Sequence, residues 1–336
     1  MPAEWEPHLA TWLAWPYDPI TFPRRVEKAE QVVVAIIKRL HTGERIELLV
    51  RDADIERRAQ RMLRAVTVDL TQVRMHRTDY ADVWTRDYLP TFIRNHKTGR
   101  VAAVKWTYNA YGEKFPELLK DNNIWNTLSV TKKTDTVETS IVMEGGAIDV
   151  NGAGVILTTE ECLLNPNRNP SRAKNEVEDA LKKHLGAKNV IWLREGLVED
   201  SHTDGHIDNI ARFVDEHTIL CALPDDPRDP NYAILENAKD VLQGIPKEHG
   251  GPFTVSALPL PMALSEDGKR FAASYLNFYI GNSVVLVPTF NDPHDQNTLT
   301  MFRKLFPNRE VHGIDASDMI YGGGTIHCIT QQEPIY

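Results

Sequence analysis

Five short stretches of this chain hold residue types that could share one piece of chemistry. Cys328 stands near the end in "GGGTIHCIT", behind three glycines. His206 and Asp208 stand two apart in "DGHIDN", with Asp204 just ahead of them. Glu144 opens "EGG", Asp87 lies in "WTRDYL" beside Trp84 and Arg86, and Asn277 lies in "SYLNFY". A cysteine attacks as its thiolate, which is scarce at neutral pH unless a neighbour or a bound cation lowers the thiol pKa. A histidine facing the sulfur would supply a proton shuttle. A carboxylate behind that histidine, here Glu144, would fix its tautomer and orientation.

Asp87 and Asp208 then remain as acceptors with no catalytic proton to move. Two acceptors opposite a nucleophile suit a planar cation rich in donors. Guanidinium is that cation, and each charge-assisted bond to it contributes roughly 1.5–3 kcal/mol.

Plainer readings exist for each residue. A free cysteine in a β-run is most often buried structure, although glycines ahead of Cys328 allow close backbone approach. Cys162 and Cys221 fall among Leu and Ile and read as core. Asp87 taken alone could pair with Arg86 or Arg94. Trp84, Trp106 and Tyr111 read as core aromatics, of which one or two could flank an alkyl-guanidine by cation–π contact. "HTDGHID" is dense in ligand chemistry: His202, Asp204, His206 and Asp208, with Cys328, could make a zinc site. The glycine triplet leads into a strand and lacks the helix and Lys-Ser/Thr of a phosphate loop.

The elements that must position these residues repeat. "GAIDVNGAGVILTTEECLL" reads as a hairpin turning at Asn151-Gly152, "NPSRAKNEVEDALKKHLGA" as a helix ended by Gly186, and "NVIWLRE" as a strand. The same order recurs in "HIDNIARFVDEHTILCAL", "NYAILENAKDVLQGI" and "FTVSALPLP", and again in "SYLNFYIGNSVVLVPTF", "QNTLTMFRKLF" and "REVHGID". "VWTRDYLPTFIRNHKTGRVAAVKW" supplies a further hairpin, followed by a weakly marked helix in "FPELLKDNNIWNTL". The fifth unit is split: "TIHCIT" is its first strand, and "ATWLAWP", "PRRVEKAEQVVVAIIKRLH" and "RIELLV" at the other end complete it. A hairpin–helix–strand period of roughly 50–65 residues, with both ends in one unit, argues for a closed five-fold ring. The candidate residues all fall in the first strand of each hairpin, so such a ring brings them to its axis. His206 and Asp208, two apart on a strand, would point to one face.

Bulk composition excludes several classes. The chain has 336 residues, 42% apolar and 25% charged, and a net charge of −9. That suits a globular protein and gives no basic face for nucleic acid. No apolar run is long enough to span a membrane. "MPAEWEPHLATW" has no basic region followed by an apolar one, and three cysteines are too few for a disulfide scaffold. A cytoplasmic protein of one domain over residues 1–336 is expected.

The segments "WTRDYLP", "EGGAIDVNGAG", "TDGHIDNIARF" and "GGGTIHCITQQEP", with the opening "EWEPHLATWLAWP", resemble the agmatine deiminases. These are a branch of the guanidine-modifying pentein superfamily, related to the bacterial peptidylarginine deiminases. The resemblance implies a five-bladed α/β propeller. It implies that Cys328 attacks the guanidinium carbon, that His206 protonates the leaving ammonia and then activates water, and that Glu144 pairs with His206. Asp87 and Asp208 would grip the guanidinium, with Trp84, Asp204, Tyr111 and Asn277 as further substrate-binding candidates. No metal or organic cofactor is implied, and a homodimer is compatible. A deiminase of peptidyl arginine or of another guanidine compound is the alternative, and a zinc-dependent hydrolase the next. Two positions depart from the family pattern: Leu89 in "RDYLP", where a glycine is usual, and "NAYGE" at Tyr111 to Glu113, where "NAWGG" is usual.

Overall fold

Each predicted unit folds as a small sheet whose first strand runs antiparallel to the second, while the second and third run parallel across a helical crossover. The computed structural model describes residues 1–129 and 134–335. Tyr336, the last position of the domain expected over 1–336, lies outside the described residues. Among these residues, five sheets have three or four strands, and a sixth is a two-stranded ribbon, Ser265–Glu266 with Lys269–Arg270.

In chain order, one sheet joins Thr91–Arg94, Val101–Thr107 and Asp135–Val142, and the next joins Ile148–Val150, Val155–Thr159 and Asn189–Leu193. The third joins Ala211–Phe213, Thr218–Ala222 and Thr254–Leu258, and the fourth Tyr279–Ile280, Val284–Thr289 and Glu310–Asp315. The fifth is the split one. Gln331–Pro334 pairs antiparallel with His8–Ala14, with Trp12 opposite Gln331. His8–Ala14 pairs parallel with Arg45–Val50. An extra helix-and-strand step follows here, Ala53–Ala65 leading to Val73–Arg77.

Parallel neighbours cannot be joined by a tight turn, so a crossover is required. Val26–Leu40, Lys174–Leu185, Tyr232–Gln243 and Asp295–Leu305 are those crossovers. Val33, Ile36, Ile37 and Leu40 recur at helical spacing and are buried, which fixes the inner face of the first. The weakly marked crossover over "FPELLKDNNIWNTL" is a run of 3₁₀ turns, Pro116–Asn123, followed by Ile124–Thr127. The central strands, such as "VVLVPT" and "TILCA", are apolar on both faces because helix covers one side and core the other.

One expectation is corrected. The site residues do not lie on the first strands but on tight turns just before them. Asp87 sits in the turn Thr85–Tyr88, Glu144 directly precedes Gly145–Ala147, and His206 directly precedes Ile207–Asn209. The final strand is Gln331–Pro334, not "TIHCIT", and Cys328 lies in the turn ahead of it. Alternation along a strand would send every second side chain away from the site. A turn at the strand's entrance instead lets neighbouring residues face it together. No described helix is long and apolar enough to cross a membrane.

Candidate active site

The floor of the site is built on these turns. Gly146 is the point where three of them meet. A Cβ placed there would lie 2.5 Å from His206 Nδ1 and 3.0 Å from both Asp208 Oδ2 and Asp87 Oδ1. Only glycine lets these side chains converge. Its N–H donates to Asp87 Oδ1 at 3.0 Å.

Cys328 is buried. Its Sγ accepts from Asn277 Nδ2 at 3.2 Å and lies 3.9 Å from Asp208 Oδ2. Asn277 Oδ1 accepts from Thr325 Oγ1 at 2.7 Å and from His327 N at 3.0 Å. Asn277, a substrate-binding candidate, is thus occupied in shaping the cysteine turn. Gly324 packs on the thiol and on Trp84: a Cβ there would lie 2.9 Å from Cys328 Sγ and 2.9 Å from Trp84 Cζ3.

His206 is fully buried. Its Nδ1 lies 3.9 Å from Asp87 Oδ1 and its Nε2 lies 3.8 Å from Glu144 Oε2. These are ion-pair distances, too long for hydrogen bonds, and neither ring nitrogen has a hydrogen-bond partner among the described residues. Glu144 Oε1 is held by Arg168 Nε at 2.8 Å. Asp87 Oδ2 accepts from the Tyr111 hydroxyl at 2.8 Å. Asp208 Oδ2 accepts from His327 Nδ1 at 2.8 Å, while Oδ1 has no hydrogen-bond partner among the described residues.

Electrostatics follow from this burial. Desolvation pushes Asp87 up to about 6, with His206 opposing and Asp208 and Glu144 adding to the rise. Desolvation, then Asp208 and Asp87, push the Cys328 thiol well above its ordinary value. Burial alone would lower His206, but Asp87, with Cys162 and Glu144 behind it, holds the imidazolium well above the usual range. Burial would raise Glu144, yet Arg168 and His206 overcome it and hold the carboxyl low. At neutral pH the free site therefore pairs a neutral thiol with an imidazolium.

A cavity of about 220 Å³ opens above this floor. Cys328, Asp87, Trp84 and Tyr111 line it, with the acidic Asp18, Asp82 and Glu117 among its further walls. Other candidates sit elsewhere. Asp204 is turned to Lys114, Asn167 and Arg168, so it braces the arginine behind Glu144 and does not line the cavity. Trp106 bonds Thr91 and packs in a separate core cluster. The zinc set read from "HTDGHID" is not assembled: His202 contacts Lys269, Asp204 contacts Lys114 and Arg168, and Asp208 is taken by His327.

Sequence reading missed four residues: Arg168, Cys162, His327 and Glu4. Cys162, read as core, is buried in a core cluster as expected and in addition lies 4.0 Å from Glu144 Oε2. His327 bridges Asp208 to Glu4, its Nε2 lying 2.9 Å from Glu4 Oε2. A signal existed for His327, which directly precedes the nucleophile candidate. Glu4 opens the segment "EWEPHLATWLAWP", but only the fold brings it beneath the site.

Known proteins share this arrangement of elements. An agmatine deiminase of Pseudomonas fluorescens is 35% identical over 357 aligned positions, covering 99% of this chain and 95% of that protein. A solved structure of the agmatine deiminase of Enterococcus faecalis superposes with a TM-score of 0.91 at 29% identity, covering 100% of this chain and 95% of the other. An agmatine deiminase of C. jejuni solved with substrate bound gives a TM-score of 0.86 at 28% identity, covering 98% and 95%. The sequence pattern of one family runs through residues 1–334, from Glu4 beneath the floor to the turn that carries Cys328. The chain therefore belongs to the Porphyromonas-type peptidyl-arginine deiminase family.

Proposed function

We propose that this chain hydrolyses agmatine to N-carbamoylputrescine and ammonia through a covalent thiouronium on Cys328. The observation that carries the reading is the convergence at Gly146. Asp87, His206 and Asp208 meet there, and the thiol of Cys328 lies 3.9 Å from Asp208. Two buried carboxylates beside a neutral thiol fit a flat cation that brings its own charge. The acidic residues along the cavity, Asp18, Asp82 and Glu117, suit a second positive group at the far end of the substrate. The cavity's volume suits a small molecule better than a peptide.

Guanidinium binds between Asp87 and Asp208 and offsets the charge that keeps Cys328 protonated. The thiol proton leaves to solvent, and the thiolate adds to the guanidinium carbon. His206, already an imidazolium, gives its proton to a departing nitrogen, which leaves as ammonia, and the thiouronium forms. Neutral His206 then takes a proton from water as the oxygen adds to the same carbon. Collapse of that adduct breaks the C–S bond, and the hydroxyl proton returns to sulfur. Ammonia takes up the proton released at the start. Glu144, fixed by Arg168, stabilises the imidazolium at both ends of the cycle.

We further propose that the five sheets close as a propeller around Glu4, forming one catalytic unit. Glu4 supports this by pairing with Arg86, Arg212 and His327, which come from three different units. Three free buried cysteines suit a reducing cytoplasm. Agmatine, arginine and a peptidyl arginine, assayed side by side for ammonia and ureido product, test the reading. Agmatine should turn over fastest, and Cys328→Ala should abolish turnover without unfolding the chain. Faster turnover of the peptide would assign the alternative activity, and folded protein inert toward all three would end the proposal.

A further inference from the structure

Cys162 has no part in the chemistry above, yet its thiol lies in contact with that chemistry. Glu144, Cys162 and His206 each offer one donor atom, all within 4.8 Å of one another, and all three residues are fully buried. Glu144 Oε2 lies 4.0 Å from Cys162 Sγ and 3.8 Å from His206 Nε2. In a tetrahedral zinc site, ligand atoms bound at their usual lengths stand about 3.3–3.6 Å apart. The two separations from Glu144 therefore need to close by only a few tenths of an ångström for the donors to share an ion, and the Cys162–His206 separation lies within 4.8 Å.

A second observation points the same way. His206 is buried with neither ring nitrogen hydrogen-bonded among the described residues. A buried imidazole normally finds partners, and this one faces a carboxylate and a thiol instead. Glu144 is also pre-oriented as a ligand. Arg168 holds its Oε1 at 2.8 Å and leaves Oε2 facing Cys162 and His206, and Arg168 is itself fixed by Asp204 at 2.8 Å and by the Thr203 carbonyl at 3.1 Å. Such outer contacts are what orient ligands in metal sites.

We propose that Glu144, Cys162 and His206 form an inhibitory site for a thiophilic divalent cation of the zinc class. One thiolate, one imidazole and one carboxylate match zinc and cobalt, not the all-oxygen shells of magnesium or calcium. Three protein donors leave a fourth position open. Binding releases the Cys162 thiol proton and the proton of His206 to solvent. It occupies the lone pair that His206 needs for proton transfer, so the ion stops the reaction proposed above. That consequence rests on the proposed function, whereas the binding itself does not.

Cobalt(II) tests the binding directly, because a thiolate ligand gives an intense sulfur-to-cobalt absorption band. The full chain carrying Cys328→Ser removes the nucleophile thiol as a competing ligand. It should show this band and bind one equivalent of zinc, displaceable by a chelator. Cys162→Ser should lose the band and weaken zinc binding by about 100-fold or more. If that variant misfolds by circular dichroism, Glu144→Gln in the Cys328→Ser background should weaken zinc at least about tenfold. A band lost in Cys328→Ser and kept in Cys162→Ser would place the metal on the other cysteine and overturn the site. So would the absence of any band, or zinc affinity unchanged by Glu144→Gln. Turnover of agmatine by metal-free wild-type chain is a separate readout: its failure would strike the proposed function, while the cobalt band judges this site alone.

Discussion

The imidazole of His327 donates through Nδ1 to Asp208 Oδ2 at 2.8 Å, and on its other side it meets Glu4 Oε2 at 2.9 Å. A carboxylate oxygen thus stands at hydrogen-bond distance from each ring nitrogen. Burial acts to raise Asp208, and His327 outweighs it, holding the carboxyl below its ordinary range. A histidine next in sequence to Cys328 thus orients a carboxylate proposed to grip the substrate. His327→Gln should lower kcat/KM for agmatine by about 10–100-fold, the equivalent of one hydrogen bond to a charged group. The loss should fall mainly on KM. Glu4→Gln should act in the same direction and more weakly. Because both act through Asp208, the double variant should lose little more than His327→Gln alone. Fully additive losses would show that Glu4 does not work through the imidazole.

A pH limb follows from Asp87, which burial places at about 6. The groups facing it are His206, Asp208, Glu144, the Tyr111 hydroxyl and Cys328. Below its pKa Asp87 is neutral and can no longer balance a guanidinium. The raised pKa of this acid thus removes binding as pH falls, not as it rises. The acid limb of kcat/KM should lie near pH 6, and the limb of kcat lower, because bound substrate favours the carboxylate. Steady-state kinetics across this range decide the point, and a flat kcat/KM down to pH about 5 would contradict it.

Gly146 tests the convergence itself. Alanine there would place a methyl carbon 2.5 Å from His206 Nδ1 and 3.0 Å from two carboxylate oxygens. These side chains are buried, so something must move. Gly146→Ala should lower kcat by about 100-fold or more, the usual result of misplacing a proton-transfer group by an ångström. Far-ultraviolet circular dichroism should stay close to wild type. An active Gly146→Ala enzyme would mean that the three side chains need not meet as they do.

Much of this was legible in the residues. The hairpin–helix–strand order could be read because its turn signals and helix ends are local: Asn151-Gly152 turns a hairpin, and Gly186 ends a helix with φ of +70°. Cys328, His206, Glu144, Asp87 and Asp208 could be picked out as candidates because a reactive or polar residue falls near the first strand of each unit. The turn ahead of each first strand could not, because "TIHCIT" and "DGHIDN" carry strand-like alternation that tertiary hydrogen bonds override. Thr85 Oγ1 donating to the Ile329 carbonyl at 2.8 Å and Asn277 holding Thr325 are such bonds. Cys162 was read as core beside Leu163 and Leu164, and it is buried in a core cluster. Its closeness to Glu144 is a fact of three dimensions.

The departure at "NAYGE" has a measurable cost. Ala110, Tyr111, Gly112 and Glu113 all hold positive φ, at 56°, 58°, 78° and 62°. This left-handed turn delivers the Tyr111 hydroxyl to Asp87. Glycine tolerates such angles and other residues do not. Glu113 is exposed, so its side chain gains little from burial in return. Glu113→Gly should stabilise the fold by about 0.5–1 kcal/mol, less whatever glycine adds to unfolded-chain entropy. Chemical denaturation would read this as a raised midpoint at unchanged slope. A lowered midpoint would show that Glu113 makes a stabilising contact that outweighs its backbone strain.

Cys328 must lose its thiol proton before it can act as a nucleophile. Burial raises its thiol pKa first, and the negative charges of Asp208 and then Asp87 raise it further. Removing either charge should lower the thiol pKa of the free enzyme, so Asp208→Asn should ionise at lower pH than wild type. A bound guanidinium offsets the same charges and should lower the wild-type thiol pKa in the same direction. In Asp208→Asn the ligand should shift the thiol less, since part of the charge it offsets is already gone. Ultraviolet thiolate absorbance isolates this residue when Cys162→Ala and Cys221→Ala are combined as background. The ligand for the titration is a guanidine that binds without turnover. A thiol that titrates at the same pH in wild type and Asp208→Asn would separate the sulfur from that carboxylate. Ionisation before the cation arrives would then need a different cause.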